Sequence, residues 1–295
     1  QAIGFKRNFA HQLRNTMPPK YGDFSKCVSD ILSDDYGAKK VVKSKFTTES
    51  VYGGAINFTM ETTMKPSADP ALFGKLSAKW KHKASGINVD KLALNTDGSS
   101  NLELSASKLP VPGVNLKCAA KSNKSGDITA EYTNDMIYST LKVSDKLKAT
   151  CSVVAASSGV MAGAQLSAAD GKVSSYEMAL GYKAGSYFGS IRAFDSLNKL
   201  SLAGMYKVPS QPLKIAACMD AESAGMKIGD ASLGVDYKVN DKATVKAKYV
   251  SGNSSAVETA MVYKCLSKVD MVLSLALPIQ SPSEKYKTGL TLTLG

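Results

Sequence analysis

Residues 231–250 read ASLGVDYKVNDKATVKAKYV. Ala231, Leu233, Val235, Tyr237 and Val239 alternate with Ser232, Gly234, Asp236 and Lys238. Asn240-Asp241 breaks the pattern, and Ala243, Val245, Ala247 and Tyr249 then alternate with Thr244, Lys246 and Lys248. Neighbouring side chains of a strand point to opposite faces, so each run makes one apolar face and one polar, charged face. Two such runs joined by a short turn-forming break form a β-hairpin.

The same reading extends in both directions. In 213–220, Leu213, Ile215, Ala217 and Met219 alternate with Lys214, Ala216, Cys218 and Asp220. Val269, Met271, Leu273, Leu275 and Leu277 share a face, as do Leu290, Leu292 and Leu294. Segments 54–61, 114–121, 147–154, 176–184 and 199–208 behave alike, and Asp97-Gly98, Pro112-Gly113, Ser125-Gly126, Asp170-Gly171 and Ser251-Gly252-Asn253 separate strands. From residue 41 onward the spacing predicts an antiparallel meander with no second helix, which excludes an α/β sheet. So long a sheet cannot stay open without exposing its edges. At roughly thirteen residues per strand and turn, the stretch 41–295 holds about 19 to 20 strands, the size of a membrane barrel. The expected fold is all-β: a large transmembrane antiparallel barrel with an N-terminal helix inside the pore.

Composition agrees. Hydrophobic residues are 44% and charged residues 21% of the 295, and mean hydropathy is −0.11. No run approaches the ~18 apolar residues of a spanning helix, but alternating strands keep average hydropathy near neutral in a membrane barrel. Thirty-seven Lys and Arg against twenty-five Asp and Glu give a net charge of +12. Five scattered cysteines (Cys27, Cys118, Cys151, Cys218, Cys265) and two histidines (His11, His82) offer no disulfide framework, metal cluster or catalytic triad. The expectation is therefore no enzyme, no catalytic residue, no cofactor and no metal.

The chain divides into an extension (1–16), a helical segment (17–40) and the barrel (41–295). The extension carries Lys6, Arg7 and Arg14 with no acid, a composition like that of a targeting peptide; Met17-Pro18-Pro19 also reads as a chain beginning. Over 21–36, Phe24, Val28, Ile31 and Leu32 make one apolar stripe, with Asp23 expected to cap the start and Gly37 to end the helix in the left-handed conformation. That stripe should pack on the inner wall, with Lys26 turned to lumen water.

These residues resemble the voltage-dependent anion channels, the eukaryotic mitochondrial porins. Pro18-Pro19, Tyr21, Asp23, Lys26, Asp30 and Tyr36-Gly37 are similar to that family's opening segment. Tyr237, Asp241, Ala243, Ala247, Lys248 and Ser251 fit its C-terminal signature, from which Asn240, Tyr249 and Val250 depart. Asn95-Thr96-Asp97 sits where animal members have a similar run. Lys287, Gly289, Leu292 and Leu294 resemble the sorting signal at the end of mitochondrial barrels. The resemblance covers about 17–295 and implies 19 strands, a number already known for this family. Ser29, Asp34 and Asp35 stand where family members usually carry basic residues. A membrane-facing acid of some animal members falls near Asp90-Lys91.

The resemblance implies a mitochondrial outer-membrane channel for diffusion of anions and small metabolites, nucleotides such as ATP and ADP among them. The candidate pore-lining bases are Lys26, Lys117, Lys121, Lys148, Lys183, Lys214, Lys238, Lys246 and Lys248, with Glu131, Glu177, Asp220 and Asp236 between them. A ring of such charges selects ions through its field while leaving a wide pore open. Reversing Lys246 and Lys248 to Glu is expected to shift selectivity and leave the barrel folded. The expected contacts are membrane lipid and permeant anions, not nucleic acid. A homo-oligomer or outer-membrane protein partners would be compatible with the family. Two other barrel functions fit the same pattern: the pore subunit of the outer-membrane protein translocase, and a barrel kept as a structural or docking component. A soluble basic nucleic-acid binder would interleave aromatics with its lysines, whereas here the aromatics mostly share the apolar face.

Overall fold

A computed structural model describes residues 17–37, 39–51, 54–64, 72–82, 84–222, 227–252, 255–279 and 286–295. The expectations placed on residues 1–16 lie outside the described residues. A 3-10 turn at Tyr21–Asp23 leads into helix α1 (Lys26–Leu32). Nineteen strands follow. The first seven are β1 (Lys40–Val51), β2 (Gly54–Met64), β3 (Leu72–Lys81), β4 (Ile87–Asn95), β5 (Ser100–Ala106), β6 (Val114–Lys121) and β7 (Gly126–Thr133). Next come β8 (Ile137–Ser144), β9 (Lys148–Ser157), β10 (Val160–Ala169), β11 (Lys172–Ala184), β12 (Tyr187–Phe194) and β13 (Lys199–Lys207). The last are β14 (Leu213–Glu222), β15 (Lys227–Lys238), β16 (Ala243–Val250), β17 (Ala256–Leu266), β18 (Val269–Pro278) and β19 (Lys287–Leu294).

Each strand pairs antiparallel with its neighbours in sequence. An odd number of alternating strands leaves the first and last running the same way, so closure demands one parallel pair. β1 and β19 supply it, with Lys40–Ser44 beside Leu290–Leu294. Closure leaves no sheet edge, as a barrel in lipid requires. Among the described residues no helix is long and apolar enough to cross a membrane; the strands do the crossing.

Burial is inverted relative to a soluble sandwich. Outward side chains such as Leu92, Leu141, Leu180, Ile191, Leu233 and Leu273 are exposed to the barrel's surroundings, which suits a wall bathed in lipid. Phe46 stacks on Phe58 and Tyr187 on Tyr206, at 5.0 and 4.7 Å between ring centres. Among the described residues the hydrophobic core lies inside, where Tyr21, Phe24, Val28, Ile31 and Leu32 meet Val154, Met161, Ala179, Phe188 and Ala216.

The helical segment is shorter than the 21–36 pattern suggests. Asp23 lies within the 3-10 turn, and Ser25 occupies the N-cap position of α1 without a side-chain cap bond. The left-handed residue after the helix is Asp35 (φ 73°), not Gly37. The reason is docking: the segment's aromatic and aliphatic side chains settle on the wall, and the backbone bends to deliver them. Near Asp90, β4 carries one extra residue relative to β3 and β5, a β-bulge. Lys91 beside it faces inward and meets Glu103 at 3.3 Å.

Candidate functional site

The lumen has two kinds of wall. One is covered by the helical segment: α1 packs against β13, β14 and β15, and the 3-10 turn against β9 and β10. Inward positions there are small. A Cβ at Gly163 would sit 3.0 Å from Tyr21 Cδ2, at Gly181 2.8 Å from Phe24 Cε1, and at Gly234 2.7 Å from Leu32 Cδ2. These glycines are seats cut to the segment's side chains. Val28, Ile31 and Leu32 are buried, and Phe24 is 3% exposed, so the apolar stripe rests on the inner wall.

Polar contacts pin the segment at both ends. Lys20 Nζ donates to Glu131 Oε1 at 2.8 Å, and Lys117 Nζ meets the same oxygen at 2.8 Å. Burial alone would lower the Lys20 pKa, but its bonds to Glu131 and neighbouring groups hold it above the ordinary lysine range. Arg192 meets Glu177 at 2.5 Å and lays its guanidinium 5.0 Å from the Tyr21 ring centre. Ser25 and Ser190 hydroxyls are 2.9 Å apart. At the other end, Lys246 Nζ donates to the Asp30 carbonyl at 3.0 Å and pairs with Asp35 at 2.7 Å. Lys248 pairs with Glu258 at 3.2 Å and sits 4.6 Å from the Tyr36 ring centre. Burial pushes the Tyr36 phenol far above its usual range, with Glu258 and Asp236 adding to it. Ser274 Oγ donates to the Gly37 carbonyl at 2.5 Å.

The second wall, β1 to β8 with the start of β9, faces the open lumen. Apart from Asp90 at the β4 bulge, its described strand acids are matched: Lys43 with Glu61 at 3.4 Å, Lys91 with Glu103, Lys142 with Asp127 at 3.1 Å, and Lys117 and Lys20 with Glu131. Among the described residues, Lys45, Lys75, Lys79, Lys121 and Lys148 have no carboxylate within 4.0 Å. Strand register puts all five on the inward side, opposite Thr59, Glu61, Asn57, Asn101 and Ala169 respectively. This wall carries a surplus of positive charge on flexible side chains.

The nine candidate bases therefore fall into different settings. Lys121, Lys148 and Lys183 project inward without an ion pair among the described residues. Lys117, Lys214 and Lys238 are paired, with Glu131, Asp236 (3.5 Å) and Asp241 (2.6 Å). Lys26 on the helix is 58% exposed and pairs with Asp30. Lys246 and Lys248 are 9% and 13% exposed and are engaged by the helical segment. Reversing both would therefore disturb helix docking as well as lumen charge, so that experiment does not isolate selectivity. Arg192, the only arginine in 17–295, is a functional residue the sequence reading missed. Its rarity was the available signal: a planar cation serves where a carboxylate and an aromatic ring must be held together.

Lys287 and Gly289 face inward on β19, and Leu292 and Leu294 outward. A Cβ at Gly289 would overlap the Gly37 carbonyl oxygen. The chain leading from α1 to β1 crosses the wall there, so this glycine has a packing reason of its own.

A closed barrel with an apolar outer wall, a charged inner wall and a helix within is a membrane pore. The eukaryotic porin family matches residues 17–289, and the chain belongs to it, the family of the voltage-dependent anion channels. No curated protein matches the chain. The protein is a pore-forming membrane channel of porin type, with an outer wall in contact with lipid and a lumen for small solutes.

Proposed function

We propose that this barrel conducts small anions and metabolites, including nucleotides such as ATP and ADP, across the mitochondrial outer membrane by diffusion. The observation that supports this is the unmatched set Lys45, Lys75, Lys79, Lys121 and Lys148 on the uncovered wall. A surplus of fixed cations raises the local anion concentration without binding any one ion tightly enough to stop it. The chemistry asks nothing more of the wall than charge and width. Mitochondrial placement is what membership of the eukaryotic porins suggests, with Lys287, Gly289, Leu292 and Leu294 as the sorting signal.

The test is reconstitution of the purified chain in a planar bilayer under a potassium chloride gradient. A large conductance with a reversal potential on the anion side is expected. Cation preference, or no conductance, overturns the reading. For the sorting role, Leu292→Ser with Leu294→Ser is cleaner than a change at Gly289, because both leucines face outward and leave the Gly37 crossing intact. Import into isolated mitochondria should then yield unassembled protein; normal assembly would remove the signal role.

A further inference from the structure

The lipid-facing side of the barrel differs between its two mouths. Odd-numbered strands end at the first mouth, which holds turns 134–136, 158–159, 185–186, 208–212 and 239–242; even-numbered strands end at the second. Six odd-numbered strands carry an aromatic ring among their last four residues: Trp80 on β3, Tyr132 on β7, Tyr182 on β11, Tyr206 on β13, Tyr237 on β15 and Tyr263 on β17. Register turns all six outward, because strand neighbours such as Lys79, Glu131, Lys183, Asp236 and Lys264 face the lumen. Tyr132, Tyr182 and Tyr237 are exposed, and Tyr206 stacks on exposed Tyr187 at the start of β12, with 4.7 Å between ring centres. Trp80 lies beside His82, 5.5 Å between ring centres.

At the second mouth the outward positions are mainly aliphatic. Met64 ends β2, Leu72 opens β3, Leu94 is next to last in β4, Ile128 lies near the start of β7, Val143 is next to last in β8 and Leu277 in β18, all exposed. Among the described residues the outward aromatics there are Tyr249 in β16, Tyr176 deeper in β11 and Tyr286 just before β19. Lysine does not distinguish the rims: Lys207 and Lys242 stand at the first, Lys124, Lys146 and Lys172 at the second, and Lys40 opens β1 there on the outward side. A lysine stem is long and flexible, so it follows a headgroup layer up or down while its own Cα moves. A tyrosine or tryptophan ring is stiff, apolar in its body and polar at one edge, and it settles where hydrocarbon gives way to headgroups. Membrane barrels ordinarily wear such rings at both interfaces.

We propose that the first-mouth rings fix the barrel in the membrane at one rim, which stays at the headgroup level of its leaflet, while the second mouth takes up differences in bilayer thickness. The partner of the aromatic surface is the phospholipid interface itself. Hydrocarbon thickness varies among membranes from about 27 to about 33 Å, and a wall of fixed height must answer that change somewhere. Moving the first mouth would carry its ring edges out of the headgroup layer into hydrocarbon. Moving the second mouth slides leucine, valine and methionine side chains along hydrocarbon, where they lose nothing, and the lysines beyond them stretch to keep their charges wet. The inference needs only that the outer wall meets lipid, and it stands whatever ion the pore prefers.

Trp80 is the only tryptophan of the chain, so the girdle carries its own depth probe. The full chain is reconstituted in phosphatidylcholine vesicles of two acyl-chain lengths, with hydrocarbon about 27 and about 33 Å thick. Depth is read by quenching the tryptophan with lipids spin-labelled at known positions. A second protein, Leu94→Trp with Trp80→Phe, reports the other mouth in the same vesicles. Trp80 should keep its distance from the nearer headgroup layer to within about 1 Å, while the Leu94→Trp probe sinks by up to about 6 Å in the thicker bilayer. Equal displacements of about 3 Å at the two probes, displacement confined to Trp80, or none at either overturns the proposal. Tyr182→Leu with Tyr206→Leu and Tyr237→Leu removes outward rings and leaves Trp80 in place. In that variant, checked for intact conductance, Trp80 should begin to shift with thickness; a depth as constant as in the unsubstituted chain would take the anchoring role from these rings. Should the triple variant not assemble, the two-thickness comparison on the unsubstituted chain and the Leu94→Trp protein still decides.

Discussion

The wall under the helical segment and the wall facing the open lumen are made from the same repeating strand, yet their inward residues differ in kind. Under the helix stand Gly163, Ala179, Gly181, Ala216 and Gly234; facing water stand Lys45, Lys75, Lys79, Lys121 and Lys148. The outward faces of both are apolar, because both meet lipid. What divides the lumen is therefore what fills it. Where a protein segment fills the space, inward side chains shrink to accept it, and where water fills the space they lengthen and charge. Three cations beside the segment, Arg192, Lys246 and Lys248, contact it directly, through Tyr21, through Asp30 and Asp35, and through Tyr36.

Four changes would break or sharpen that contrast. Phe24→Ala removes the aromatic ring seated over Gly181 and should weaken docking by about 3–5 kcal/mol, the range for a buried phenylalanine. Amide exchange across Val28–Leu32 should then accelerate by about two orders of magnitude or more, while the strands stay protected; unchanged protection of α1 would mean the ring is not an anchor. Lys246→Gln takes away the cation shared by Asp35 and the Asp30 carbonyl, costing docking about 1.5–3 kcal/mol, as expected for bonds to a charged group. Protease cleavage between Ser33 and Gly37 in reconstituted channels should increase, and equal cleavage would show the contact to be incidental. Arg192→Lys keeps the charge and loses the planar fork, so the effect should be smaller, about 0.5–2 kcal/mol for the cation–aromatic contact. It is read in the same exchange experiment, where Arg192→Gln should exceed it. Lys121→Gln with Lys148→Gln on the uncovered wall should change stability by no more than about 0.5 kcal/mol and yet move the reversal potential toward cations. Urea unfolding in vesicles and a salt-gradient recording, made on the same protein, decide that pair.

The strands were legible because alternation is a local property. In β16, Lys246 and Lys248 point one way and Val245 and Ala247 the other whatever surrounds them. The stripe of α1 was legible for the same reason. The lengths and ends of the helical segment were not, since Asp35 takes its positive φ to satisfy docking across the lumen, a demand set by residues some two hundred positions away. Nor could spacing tell a lysine meeting water from one meeting the helix: Lys121 and Lys246 share the same pattern, and only three-dimensional proximity to Asp30 and Asp35 separates them. Gly289 shows the converse, a residue readable as part of an address whose crowding under Gly37 appears only once the chain is closed.

The parallel seam has a kinetic consequence. Every other junction joins strands close in sequence, whereas β1 and β19 lie at opposite ends of the barrel sequence, and Lys40–Ser44 against Leu290–Leu294 is their whole ladder among the described residues. Parallel ladders are slightly weaker per residue than antiparallel ones, and this one is also among the shortest. Its partners are the farthest apart in sequence of any pair in the sheet, so closing it carries the largest loop-closure cost. By the same token its amides should be the first in the sheet to lose protection when the barrel breathes. The crossing of Gly37 over Gly289 lies beside that ladder, where Ser274 and the Lys39 carbonyl, which accepts from Leu290 N–H at 3.0 Å, tie the two chain regions together. The segment in the lumen is thus also a clasp on the slowest and most fragile joint of the wall.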